Sequence, residues 1–479
     1  MAEFIVAIEL GSSKITGVAG KKNLDGSINI LAVVKEDSAS FIKKGVVNNI
    51  DKTALCIKTI IQKLTAQLKA EITQVYVGVG GQSIRSVRNV IAKDLAPDTK
   101  VTQEMVIGIM DANRSMKYPD QEILDAAEQE YKVDSQLQLD PVGIQCSRLE
   151  GNFLNILQRK KFYKNLNTCF EAAEINVAEM YLAPLALADS VLTEAERRSG
   201  CALVDIGADT TTVSVYSKNI LRHLAVIPLG SNNITKDIAS LQMEESEAEK
   251  MKLKYGNAYT DNAEIDNTLM LPIDAERSVE SRKFIEIVEG RLEEIIENVW
   301  YQIPPDYYDK LLGGIILTGG GSNMPNIEKA FFNHTHIDKI RVAKFVTHSI
   351  ISTNPDITAK NGTMNTVLGL LAKGDQNCAG DAIDANRDLF GPKQHAPMEP
   401  RTKGRQATET PPGVVRTEAE KQQAEEEARR RKEEEERIAR EKEEEEAKRI
   451  AQEKKENSPL NKGLKWFKNV AAKLTAPEE

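Results

Sequence analysis

Two apolar runs in this chain break off in the same order. "FIVAIELGSSKITGVA", from Phe4, passes through Glu9, Gly11, Ser12 and Ser13 into a second β-like run. "ALVDIGADTTTVSVY", from Ala202, passes through Asp205, Gly207, Asp209 and Thr210 into another. Each reads as a strand–turn–strand whose tip turns successive backbone N–H groups toward one point, a nest for phosphate oxygens. The first tip is Gly11, Ser12, Ser13 and Lys14; the second is Gly207, Ala208, Asp209, Thr210 and Thr211. Glu9 and Asp205 close the first strands and can hold Mg²⁺ directly or through water. A third run, "GGIILTGGGSNMPNIEKAF", sets Gly319, Gly320 and Gly321 between an apolar strand and a helix starting near Pro325. Three glycines there let a flat ligand approach the backbone. One such turn is weak evidence; two in matched order with a third segment outweigh ordinary tight packing.

Elsewhere, up to about residue 372, strand-like runs alternate with helical ones. "QVYVGVGG" follows "ALCIKTIIQKLTAQLKAE", and "GGIILTGGGS" follows "VEGRLEEIIENVWYQI". The alternation predicts an α/β protein. At 479 residues and 41% hydrophobic content, more than one core is expected. The net charge of -9 argues against nucleic acid as a partner. The five cysteines are scattered without a CxxC pair, which gives neither a zinc site nor a disulfide frame. Neither the Walker loop nor the Rossmann fingerprint is present. His334 and His336 lie in a loop-like stretch with no sign of a metal site.

The composition shifts after residue 372. Residues 373–415 are rich in Gly, Pro, Asp, Asn and Gln and read as a disordered linker. Residues 416–457 are almost wholly Lys, Arg, Glu, Gln and Ala, without an a/d apolar seam. Acid-first i,i+4 pairs such as Glu427–Arg431 and Glu433–Arg437 support a solvated charged helix or tether. The last stretch, 458–479, holds "LNKGLKWFKNVAAKL". At about 100° per residue, Leu460, Leu464, Trp466, Phe467, Val470 and Leu474 share an arc of about 160°. Lys462, Lys465, Lys468 and Lys473 take the other side. Such a helix is too short to span a bilayer and suits the surface of an anionic membrane.

Two phosphate hairpins and a later glycine loop resemble the actin, sugar-kinase and heat-shock-chaperone ATPase fold, two related halves closing on ATP. That fold usually has Asp where this chain has Glu9. Within it, "GVVNNIDKTALCIKTII", "VYVGVGGQSIRS", "DPVGIQCSRLEG", "INVAEMYLAPLALADSVL" and "LGSNNITKDIASLQMEESEAEKMKLKYGNA" resemble the bacterial cell-division family FtsA. The resemblance covers about 1–372 and the extreme C-terminus. It implies an actin-like two-domain ATPase fold with an inserted small subdomain, followed by the charged linker and the C-terminal amphipathic helix. The first domain would comprise 1–83 and 166–200, with about 360–372. The insertion would be 84–165. The core of the second domain would be 201–232 and 304–359.

By the same resemblance, the helical subdomain 233–303 would receive the C-terminal tail of the tubulin-like ring protein FtsZ, with Arg277, Arg282 and Lys283 as candidate contacts. Glu289 and Arg291 resemble the superfamily's adenosine-flanking helix. The cofactors would be ATP and Mg²⁺, and the protein at most a slow ATPase with no catalytic residue identified. Its partners would be FtsZ, further copies of itself in a filament, anionic lipids and other division proteins. It would work at the cytoplasmic face of the membrane at the division site. A small-molecule kinase on the same fold would need a catalytic base and a substrate pocket, and the sequence identifies neither. The family-specific stretches count against a pilus-assembly or rod-shape relative.

Overall fold

The computed structural model describes residues 3–382 and 412–418, and beyond these 420–423, 426, 429–430 and 437. Two compact units result: residues 1–400 with 405–417, and residues 401–404 with 418–479. The described residues of the second unit are helical, and within it Arg430 reaches Glu426 one turn away at 3.2 Å. The segment 458–479, with its apolar and lysine faces, lies outside the described residues.

The first unit is built twice from one plan. Ile5–Leu10 pairs antiparallel with Lys14–Lys22, which pairs antiparallel with Ile28–Asp37. On its other side Ile5–Leu10 runs parallel to Gln74–Val79, which runs parallel to Asn176–Leu182. In the second half Cys201–Ile206, Thr211–Ser217 and Ile220–Ile227 form the antiparallel part, and Gly314–Thr318 and Ile340–Val342 the parallel part. Both halves therefore share five strands in the order 3-2-1-4-5, with the hairpin's first strand in the centre, and the first adds Ile350–Ile351 and Val414–Val415 at its edges. The central strands read as near-continuous apolar runs because helices cover both faces. In Ser281–Gln302, Phe284, Val288, Leu292, Ile295, Ile296 and Val299 recur every three or four residues and are all buried. They form the core of the second half together with the strands.

A third core belongs to the insertion. Arg85–Lys100, Gln121–Val133, Gln136–Gln138 and Gln145–Arg159 make an antiparallel sheet. The helix Gln103–Arg114, capped by Thr102, packs on that sheet through Val106, Ile109 and Met110. The inserted sheet continues into that of the second half through Ala225 and Arg85. Arg222, with only 9% of its surface exposed, donates to Glu130 at 3.2 Å across this junction.

Within 373–415, where the sequence reads as a linker, the structure finds ordered chain. The hydroxyl of Tyr76 accepts the amides of Asp375 and Gln376, and Cys378 is fully buried. Ala379–Ala382 pairs with Ala70–Ile72, and Val414–Val415 pairs with Met180 and Tyr181. Composition missed these segments because each has only one or two apolar side chains among polar neighbours.

Two helices carry the chain between the halves, Ala183–Val191 and Asn365–Lys373. They touch at Gly369, where a Cβ would lie 2.6 Å from the Ala186 carbonyl oxygen. Beside this crossing, Arg341 clamps Glu196 with Nε at 2.6 Å and Nη2 at 2.9 Å, and Nη2 also reaches the Val191 carbonyl. Thr193 adds its amide and hydroxyl to the same carboxylate. Burial pushes the Glu196 carboxyl up, but Arg341 and Thr193 outweigh it and hold it at about 2. This contribution is therefore present above the ordinary carboxylate range and is lost as pH falls toward 2. Glu196→Gln should lower stability by roughly 1.5 kcal/mol at pH 7, the low end for a charged hydrogen bond because Arg341 is 38% exposed. Urea midpoints should show the gap from the parent narrowing at pH 3. An equal gap at both pH values would mean that the charge does not carry the contact.

Candidate functional site

The two hairpins are the same turn in atomic detail. The Gly11 amide donates to the Lys14 carbonyl at 3.0 Å, and the Gly207 amide to the Thr210 carbonyl at 2.8 Å. Glu9 faces Thr16 two residues before one turn; Asp205 faces Thr212 two residues before the other. The amides of Ser12, Ser13, Ala208 and Asp209 lie outside the ladders, at the tips. Ser13 and Lys14 are exposed, so the Lys14 ammonium is available to an anion.

Some tip side chains have structural partners. Ser12 is buried and accepts the Gly45 amide through Oγ at 2.8 Å, which leaves its own proton to donate. Thr211 is buried and its hydroxyl donates to the Leu229 carbonyl, so it braces the hairpin. Asp209 accepts from Asn232 Nδ2 at 2.8 Å and from the Lys44 amide at 3.1 Å. The last of these ties the second tip to the first half. A carboxylate repels phosphate, so Asp209 contributes its backbone and its hold on Lys44.

The Gly319–Gly321 loop follows Gly314–Thr318 and runs beside Asp205. Gly319 has φ +84°, and a Cβ there would lie 2.3 Å from Asp205 Oδ1. Only glycine fits at such a position. Gly320 is exposed, and its Cβ would meet nothing closer than 3.7 Å. The next turns add Ser322, whose hydroxyl donates to the Gly319 carbonyl, and Asn323, which donates to the Gly320 carbonyl.

Glu9 and Asp205 come together between the halves. Burial, and then the charge of Asp205, push the Glu9 carboxyl up to about 8. Against this act the Thr366 hydroxyl, the charge of Lys35 and the Val367 amide. Burial pushes Asp205 up to about 6. Asn365, the first residue of the last helix, donates to Thr318 Oγ1 at 3.0 Å and to the Ala343 carbonyl at 2.8 Å. Its own Oδ1 is buried without a partner. The two carboxylates are hard-oxygen donors, the kind that suit Mg²⁺ held partly through water and phosphate. Among the described residues there is no cluster of three or more His, Cys, Asp and Glu.

Further residues, not among the candidate site residues of the sequence, line the same wall. Ser231 and Asn232 donate their amides to the Gly207 and Ala208 carbonyls, so their helix starts against the second hairpin. Lys252, 7% exposed, reaches that start through the Ser231 carbonyl at 3.1 Å and Thr235 Oγ1 at 2.8 Å, with Glu249 at 2.7 Å. The signal was the ExxK spacing in "ESEAEKMKLKY", but only the fold brings it to the hairpin.

The remaining candidates are engaged elsewhere. Glu289 accepts hydrogen bonds from Thr260, and burial pushes its carboxyl up. Arg291 pairs with Asp237 and Glu294. Neither is shown turned toward the glycine loop. Arg277 is bound by Asp274 and Glu247, and Arg282 by Asn267 and Glu286. Lys283 is exposed.

The raised carboxyls give a pH dependence with a definite sign. Between the ordinary carboxylate range and pH 8 the folded chain holds protons on Glu9 and Asp205 that the unfolded chain has released. Stability of the metal-free protein should therefore fall as pH rises through 6 to 8. Glu9→Gln cannot lose that proton. Its melting temperature should decline less than the parent's between pH 5.5 and 8.5, and parallel declines would contradict the assignment.

The profile described as "Cell division protein FtsA" matches residues 202–362, and "SHS2 domain inserted in FTSA" matches residues 81–157. The cell division protein FtsA of Porphyromonas gingivalis is 31% identical over 396 residues, covering 81% of this chain and 81% of that protein. Its counterpart in Neisseria meningitidis serogroup B is 32% identical over 332 residues, covering 68% and 80%. Among solved structures, a PilM-PilN type IV pilus biogenesis complex aligns with a TM-score of 0.54 at 15% identity, over 77% of this chain and 97% of that one. The fold is the actin-like one. With the insertion and the two-halved body both matched, the chain belongs to the FtsA family of cell division proteins.

Proposed function

We propose that the protein binds ATP between its two halves and, in filaments on the inner face of the cytoplasmic membrane, anchors the FtsZ ring to that membrane. The observation that carries the nucleotide reading is the pair of equivalent hairpins. Backbone amides from both tips, the Lys14 ammonium and the Ser12 hydroxyl provide donors for a polyphosphate from two sides. Mg²⁺, held by Glu9 and Asp205 directly or through water, would neutralise phosphate charge. The Gly319–Gly321 loop forms the adenosine side, with Lys252 and Glu249 on the adjoining wall. Hydrolysis is at most slow.

The helical region 233–303 takes the FtsZ tail. Arg277 is already neutralised by two acids, so the exposed Lys283 and apolar contacts carry that docking. The amphipathic segment 460–474 reads as the membrane contact on its sequence alone. Its lysines each add about 1 kcal/mol near an anionic surface. Ordering a helix of about fifteen residues offsets much of this gain. One copy should bind weakly, and several in a filament together by avidity.

Gly320→Val tests the nucleotide site without breaking the loop, since a side chain has room there. Calorimetry should show ATP binding weakened about tenfold or more, ~1.4 kcal/mol. Unchanged affinity would remove the adenosine assignment. Trp466→Glu should release the protein from anionic liposomes in co-sedimentation. The membrane reading fails if the variant still pellets, or if the parent binds neutral and anionic liposomes equally.

A further inference from the structure

The sheet of the first half would end on Asn176–Leu182, but its outer edge is filled by chain from far away in sequence. Val414 sits opposite Tyr181 and Val415 opposite Met180, antiparallel. The Leu182 amide donates to the Gly413 carbonyl at 2.7 Å. Both valines are buried, Val415 to 1% exposure. The contacts are not confined to the edge. The Gly413 amide donates to Asp125 Oδ2 at 2.9 Å, and Asp125 lies on the insertion's strand Gln121–Val133. The Tyr163 hydroxyl, on the helix Lys160–Ala173 that returns from the insertion, donates to the Arg416 carbonyl. Four residues therefore bridge a sheet edge, the insertion and the helix that joins them.

We propose that Asn176–Leu182 is a strand-addition site whose ligand is the chain's own Gly413–Arg416. Seating this strap pins the insertion to the first half and fixes the point at which the charged segment leaves the body. Strand addition gains its affinity from main-chain hydrogen bonds and its selectivity from alternate side chains. Here the side chains are two valines in an otherwise polar stretch. The strap also covers an edge that would otherwise present unpaired amides and carbonyls. Burial pushes the Asp125 carboxyl up, and the Gly413 and Ala126 amides and the charge of Arg114 oppose this, so the strap supplies one of the donors to a partly desolvated carboxylate. Two residues of pairing make a weak lock, at the low end of local stabilities. Tension on the segment after Thr417 would peel the strap before it disturbed either core. It would free the sheet edge and loosen the insertion together.

Hydrogen exchange on the full-length protein tests this. In the parent, peptides spanning 176–182 and 412–417 should both be protected. Val415→Asp puts a carboxylate in the buried position and should speed exchange in both peptides roughly tenfold or more. The strand Ile5–Leu10 should stay protected, showing that the body remains folded. Asp125→Ala should give a smaller change in the same peptides, and Asp125→Asn, which keeps an acceptor for Gly413, should restore protection. Equal exchange in the parent and Val415→Asp would overturn the strap. So would protection that disappears on dilution, which would mean that a second copy supplies the strand.

Discussion

The close crossing at Gly369 is the constraint on which the site depends. With no side chain there, the helix Asn365–Lys373 presses against the Ala186 carbonyl. Its N-terminus then reaches both halves. Thr366 and the Val367 amide meet Glu9 of the first hairpin, while Asn365 bonds Thr318 and Ala343 of the second half. A methyl group at 369 would force the helices apart, and the two acids with them. Glu9 and Asp205 lie two residues before equivalent turns in equivalent halves. The helix crossing helps to hold those turns facing one another.

Desolvation sets the character of the resulting cleft. Two carboxyls held near each other, each raised by burial, disfavour being charged together. Glu9 is held there by the Thr366 hydroxyl and the Val367 amide, and Gly319 leaves the room that Asp205 occupies. Such a site is destabilised at neutral pH, where the folded chain holds protons that the unfolded chain has released. Lys44–Asp209 adds a single hydrogen bond across the cleft.

How much of this was legible in the sequence follows from how local each feature is. The hairpins were legible because a glycine-and-hydroxyl turn between two apolar runs is written in consecutive residues, and its repetition marked two halves. The insertion was legible through likeness of "VYVGVGGQSIRS" and "DPVGIQCSRLEG" to a family. Their residue pattern alone would have given only further strands. The clamp of Arg341 on Glu196 was not legible, since 145 positions separate its members. Lys252 was in view as part of a spacing, yet its place beside the second hairpin depends on a helix start that only tertiary structure fixes. Val414–Val415 was hidden by composition, because two apolar residues do not shift the average of a polar stretch.

The insertion is also where the second half and the strap meet, and this bears on how a load would travel. One strand, Gln121–Val133, carries Asp125, which binds the strap, and Glu130, which binds Arg222 of the second half. The first contact is an exchangeable hydrogen bond to a backbone amide. The second is a largely buried ion pair, which is costly to break singly because it leaves an unpaired charge behind. A force entering at the strap therefore meets its weak link first, and the junction between insertion and second half stays closed. The order of these strengths makes the strap a fuse: Gly413–Arg416 can leave the sheet edge while the insertion and the second half keep their grip on each other.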